Sequence, residues 1–153
     1  MKKIKLGIVG LSVIGASIFD ALKDNNDYEL YIHSNSGFNK VKEFVKQSSN
    51  DIRAVKGCDI VFVCTKLSQT LETLDKLNQF LDKNTLVVDV ASSKKELLNK
   101  TYNYTFLLSH PMAGSEKTGF EAKDKELFKG ARWLFEQDNE VLLKVIKDLG
   151  AIP

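Results

Sequence analysis

A short apolar run, Ile4 to Val9, stops at Gly10, and helical periodicity takes over from Val13 with Gly15 inside its first turn. Glycines where a strand gives way to a helix leave room for a tight bend and for close approach of backbone or ligand. The alternation then continues along the chain. Strand-length apolar runs at Glu29 to His33, Asp59 to Cys64, Leu86 to Val90, Thr105 to Ser109 and Trp133 to Phe135 are interleaved with helical stretches at Asn39 to Gln47, Lys94 to Leu98 and Asn139 to Leu149. Leu71, Leu74, Leu77 and Leu81 mark one face of a further helix, and a weak strand is expected near Ile52 to Val55. This order predicts βαβ units in an α/β fold of the doubly wound, Rossmann type: a mostly parallel sheet with helices on both faces. At 153 residues and 43% hydrophobic content, residues 1–153 are expected to form one domain around one core.

The charge balance narrows the choice of partner. Lys and Arg total 22 against 20 Asp and Glu, which gives no broad basic footprint for nucleic acid or an anionic membrane surface. No apolar run approaches the roughly 20 residues that span a bilayer. The first strand follows Met1-Lys2-Lys3 too closely for a signal peptide, so a soluble, cytoplasmic protein is expected. Cys58 and Cys64 read as small buried hydrophobes in a reducing compartment, and no metal site is expected.

Gly10, Ser12 and Gly15 occupy the three glycine places of a dinucleotide fingerprint at the right strand-to-helix junction. Ser12 replaces the middle glycine, where its Cβ and hydroxyl would crowd the pyrophosphate while offering it a hydrogen bond. Val13 and Ile14 complete the helix start as cofactor-binding candidates, because helix N-termini favour anions whatever the side chain. The plainer reading is a turn that binds nothing. Cys64, Thr65 and Lys66, at the carboxyl end of a later strand, complete the expected cofactor set.

The fingerprint also expects an acidic residue at the end of the second strand to bond the ribose 2′-hydroxyl. Ser34 stands there instead, followed by Asn35 and Ser36 and then by Lys40 and Lys42. Without a carboxylate to repel a 2′-phosphate, the stretch favours NADP over NAD. His33 reads as a strand-end residue without a chemical role.

The most specific block is Ser109-His110-Pro111-Met112-Ala113-Gly114-Ser115-Glu116-Lys117-Thr118-Gly119, directly after a predicted strand, with Leu127 to Ala131 and Trp133 beyond it. Earlier comes Asp89-Val90-Ala91-Ser92-Ser93-Lys94. With these two motifs and the glycine turn, the sequence resembles the nucleotide-binding domain of prephenate and arogenate dehydrogenases along essentially its whole length. The resemblance implies oxidative decarboxylation of a cyclohexadienyl ring on the way to tyrosine. It also implies a catalytic His110 that polarises the ring hydroxyl and a Ser92 that orients it. Lys94 would help hold an anionic substrate, and Ser115 and Glu116 would line the pocket mouth. Each has a simpler use: His110 as a strand-end cap, Ser92 as a helix N-cap, Lys94 as a solvated residue.

Complete enzymes of the family continue into a largely helical second domain that supplies dimer contacts and substrate-gripping residues, and nothing in these 153 residues stands in for it. The expectation is therefore weak or absent turnover by this chain alone, with a helical partner or a homodimer completing it. Two other classes stay open. A different Rossmann oxidoreductase, such as a hydroxyacid dehydrogenase or an imine reductase, would share the glycine turn, and a non-catalytic dinucleotide-binding module would share the short length.

Overall fold

The computed structural model describes residues 2–115 and 117–153. Six strands form one wholly parallel sheet in the order β3-β2-β1-β4-β5-β6. They are β1 (Ile4–Val9), β2 (Tyr28–His33), β3 (Gln47–Ser49), β4 (Ile60–Val63), β5 (Leu86–Asp89) and β6 (Thr105–Leu107). The chain winds outward from β1 through β2 to β3, then returns to the other side of β1 for β4 to β6. That reversal between β1 and β4 is the switch point where open parallel sheets of this kind leave a crevice beyond their carboxyl ends.

Alternation along the strands builds two cores. Leu6 and Ile8 of β1, Ile60 and Phe62 of β4 and Val88 of β5 face helices α1 (Val13–Leu22) and α4 (Glu140–Asp148). Val9, Val61, Val63 and Val87 point the other way, against Leu74 and Leu77 of α3 (Leu67–Leu77). Strands buried on both faces become nearly continuous apolar runs, which is why β4 and β5 are fully buried. Cys58 and Cys64 are free and buried among them, and burial pushes the Cys58 thiol up to about 12.

Several local expectations need correction. The helix expected over 39–47 shrinks to α2 (Phe38–Val41), because Lys46 donates to the Leu30 carbonyl and the Ser48 hydroxyl to that of Phe38, drawing the segment into strand β3. Residues Ile52–Val55 form a 3-10 turn rather than a strand, started by the Asp51 carboxylate accepting from Arg53 N–H. The segment after Lys94 is a turn, with Leu97 and Leu98 N–H both on the Lys94 carbonyl, and it ends at Asn99 in the left-handed region. The strand expected over 105–109 divides. Its first part is β6, and β7 (Ser109–Pro111) leaves the sheet to pair antiparallel with β8 (Trp133–Phe135). Among the described residues no helix is long and apolar enough to cross a membrane.

Candidate functional site

Beyond the carboxyl ends of β1, β2 and β4 lies a cleft of about 1050 Å³. Gly10, Ser12 and Val13 form its floor, Ser34 and Asn35 one wall, and Cys64, Thr65 and Lys66 the opposite one. Eight of the ten expected cofactor positions thus meet in one cavity; Ile14 and Gly15 lie behind it. Gly15 is needed for packing, since a Cβ there would sit 2.1 Å from the Gly10 carbonyl oxygen. Gly10 has φ +96°, and its added Cβ would come 2.9 Å from the Cys64 carbonyl oxygen. Both glycines therefore hold the start of α1 tight against β1 and β4.

Ser12 does not crowd the approach in the way expected of it. Its side chain turns back as the N-cap of α1 and accepts from Gly15 N–H at 3.3 Å. Ala16 N–H goes to the Ser12 carbonyl, while the N–H groups of Leu11, Ser12, Val13 and Ile14 have no hydrogen-bond partner among the described residues. A row of free donors at the positive end of a ten-residue helix, opening on a cleft, fits the pyrophosphate of a dinucleotide.

At the second wall, Ser34 Oγ accepts from Gly37 N–H at 2.9 Å and closes the turn after β2. Its own hydroxyl hydrogen remains free to donate. Lys40, the first lysine after that stretch, lies 3.6 Å from Glu121 and 5.4 Å from the centre of the Phe120 ring, outside the cleft lining. The lysines on the cleft are Lys66 and Lys76, the latter 3.2 Å from Glu72. His33, Asn50 and Asp51 also line it and were not foreseen as site residues. They come from the ends of β2 and β3, and only the strand order brings them beside α3.

The second cluster lies where β5 ends and β7 begins. Asp89 is wholly buried at this corner. Its carboxylate accepts from Ser109 N–H at 3.0 Å and Ala91 N–H at 3.1 Å, and it pairs with the Lys94 ammonium, which also donates to the Ser109 carbonyl. Ser109 Oγ donates to the Asp89 carbonyl at 2.5 Å and accepts from Trp133 Nε1–H at 3.1 Å. Burial pushes the Asp89 carboxyl up and the Lys94 ammonium down, and each charge opposes that shift in the other. Lys94 is thus committed to holding the β5 loop against β7. Asp89 entered the sequence reading only as the first letter of a motif, because nothing local marks it as the hub.

This lock fixes two expected catalytic groups. Ser92 sits exposed in the loop that Asp89 and Lys94 brace. His110 is half-buried in β7, with Nδ1 3.3 Å from the Val90 carbonyl oxygen. A carbonyl only accepts, so this bond requires the proton on Nδ1, and in the neutral ring Nε2 then carries the lone pair, the tautomer a proton acceptor needs. Ser115 is exposed on the following loop, and Glu116 lies outside the described residues. None of Ser92, Lys94, His110 and Ser115 lines the large cleft, although Thr118 and Gly119 from the same loop do.

The family described as prephenate dehydrogenase, nucleotide-binding domain, matches residues 26–150. The chain belongs to that family. It is 31% identical to a prephenate dehydrogenase of Lactococcus lactis, over 99% of this chain and 45% of that protein. A prephenate dehydrogenase of Bacillus subtilis is 28% identical over 93% of this chain and 42% of its own length. The chain therefore spans a little under half of these relatives. Among solved structures, Synechocystis arogenate dehydrogenase superposes with a TM-score of 0.82 at 29% identity, over 97% of this chain and 58% of that one. A prephenate dehydrogenase of Aquifex aeolicus, solved with hydroxyphenyl propionate and NAD+, gives the same TM-score at 20% identity, a likeness of fold. It covers 99% of this chain and 59% of the other.

The Asp89 lock makes a direct prediction for this domain. Asp89→Ala leaves the half-buried Lys94 ammonium without its counter-charge and Ser109 N–H without an acceptor. The expected loss is about 3 kcal/mol of stability, read as a lower urea midpoint at unchanged slope. A midpoint equal to wild type would mean that the corner is held by packing alone.

Proposed function

We propose that this chain is the dinucleotide-binding half of a dehydrogenase that oxidatively decarboxylates prephenate or arogenate, with the cleft holding NADP or NAD. The observation that carries the reading is the fixed tautomer of His110, held by the Val90 carbonyl on the loop that also presents Ser92. Bound nicotinamide would supply the hydride acceptor. His110 Nε2 takes the proton of the ring hydroxyl as hydride leaves the carbon that bears it, giving a dienone. The ring carboxylate then departs as carbon dioxide, its bonding electrons aromatise the ring, and the resulting phenolate recovers the proton. General-base help of this kind contributes about 10² to 10⁴ in rate.

Ser92 orients the hydroxyl or the imidazole from the braced loop. Lys94 acts as a positioning residue through Asp89, and its charge favours an anionic substrate nearby. Ser115 and Glu116 border the substrate mouth. Ser34, Asn35 and Ser36 at the end of β2 favour NADP, since none of the three is the carboxylate that would oppose a 2′-phosphate there, and the Asp51 carboxylate that lines the cleft after β3 acts the other way. A cytoplasmic location, and a helical partner domain or homodimer completing the substrate pocket, belong to the same reading.

The test supplies the protein, joined to the helical half of a relative, with prephenate or arogenate and either cofactor. Equimolar carbon dioxide and reduced nicotinamide from one of the two substrates is the expected result. Dinucleotide binding without turnover of either substrate would leave a binding module and remove the catalytic reading.

A further inference from the structure

His33 ends β2, paired with Val9 on one side and Ser49 on the other. Tyr31, two residues earlier and so on the same face, packs into the core beneath α3, which places the His33 ring on that side of the sheet. The residue is half-buried and lines the large cleft. Its Nδ1 is sealed from solvent and has no hydrogen-bond partner among the described residues. An orphaned buried ring nitrogen costs free energy in either tautomer, so no hydrogen bond to Nδ1 locks the protonation of this imidazole, although burial favours its neutral form. What enters the cleft decides it.

The surroundings favour the neutral ring. Burial lowers the affinity of the ring for a proton, and the Lys76 ammonium on α3 lowers it further. Against them act the carbonyls of Ser49 and Asp51 and the Asp51 carboxylate, all at the end of β3. Lys76 is partly neutralised by Glu72 on the same helix, and β1 contributes only the uncharged Val9. The neighbouring Ser34 hydroxyl accepts from Gly37 and keeps its own hydrogen to donate, but it carries no charge to set against a phosphate. A phosphate set beside the ring itself, as the 2′-phosphate of the adenosine ribose would be at the end of β2, would tip the ring to its cationic form, whose second N–H could satisfy a β3 carbonyl.

We propose that His33 is a specificity-determining residue, taking up a proton when the 2′-phosphate of NADP enters the cleft and so coupling NADP binding, but not NAD binding, to proton uptake. The inference rests on the dinucleotide reading of the cleft. NADP affinity then rises as the pH falls from about 8 to about 6, starting at the pKa that the bound phosphate raises and continuing towards that of the free ring, which burial holds below the ordinary histidine value. The phosphate itself titrates near 6, so a variant that lacks the imidazole is the reference.

The experiment is calorimetric titration of the chain with NADP and with NAD, in two buffers of different ionisation enthalpy, for wild type, His33→Asn and His33→Gln. Wild type is expected to take up at least about 0.3 proton more per NADP than either variant, and to gain roughly fivefold more NADP affinity between the two pH values. All three proteins should take up the same number of protons with NAD. Equal proton counts for NADP in wild type and in the folded variants would overturn the role of His33 while leaving the cleft reading intact. Binding of neither dinucleotide by wild type would overturn both.

Discussion

His110→Asn is expected to lower turnover of prephenate or arogenate by about 10³-fold while changing NADP affinity less than about twofold. The asparagine amide can still donate to the Val90 carbonyl, so β7 and its pairing with β8 stay in place. It offers no basic nitrogen where Nε2 stood, and the hydroxyl proton then has no acceptor as hydride leaves. The dinucleotide cleft has its own walls, and His110 is not among them. Steady-state kinetics in the form of the protein that turns over substrate, with binding measured separately, separates the two effects. If kcat fell less than about fivefold, His110 would be a strand-end residue and the proton would leave by another route.

Gly15→Ala is the second large effect, and it acts through structure. The added carbon would lie 2.1 Å from the Gly10 carbonyl oxygen and 3.0 Å from the Cys64 Cβ. The first neighbour is backbone at the mouth of the cleft, so α1 must shift away from β1 to relieve the contact. Such overpacking costs about 1 to 3 kcal/mol, and the shift displaces the free N–H groups of Leu11 to Val13 on the cleft. A lower urea midpoint is expected together with a loss of NADPH affinity of roughly tenfold or more. A destabilised protein that binds normally would show that the helix start does not hold the pyrophosphate.

Much of this was legible in the sequence because parallel strands covered on both faces become uninterrupted apolar runs. Asp59 to Cys64 and Leu86 to Val90 each matched β4 and β5 to within one residue at either end. The glycine turn was legible for a related reason: only residues without a Cβ fit between Gly10, Gly15 and Cys64. Short elements set by distant bonds were not. Gln47 to Ser49 becomes a strand because β2 offers its edge, and that edge carries no local signature. His110 and Ser92 stood out as candidates through motifs, whereas Asp89 as the hub and His33 and Asp51 as cleft walls depend on strand order and on contacts between residues far apart in sequence.

The proposed function requires a nicotinamide dinucleotide to lie in the cleft above β1 and β4, against the start of α1. Titration of the chain with NADPH and with NADH, followed by calorimetric heat, tests it most directly. Saturable binding of both at one site, tighter for NADPH and weakened at least roughly tenfold by Gly15→Ala, is expected. Absence of binding by either at millimolar concentration would contradict it, leaving a Rossmann fold whose cleft serves some other ligand.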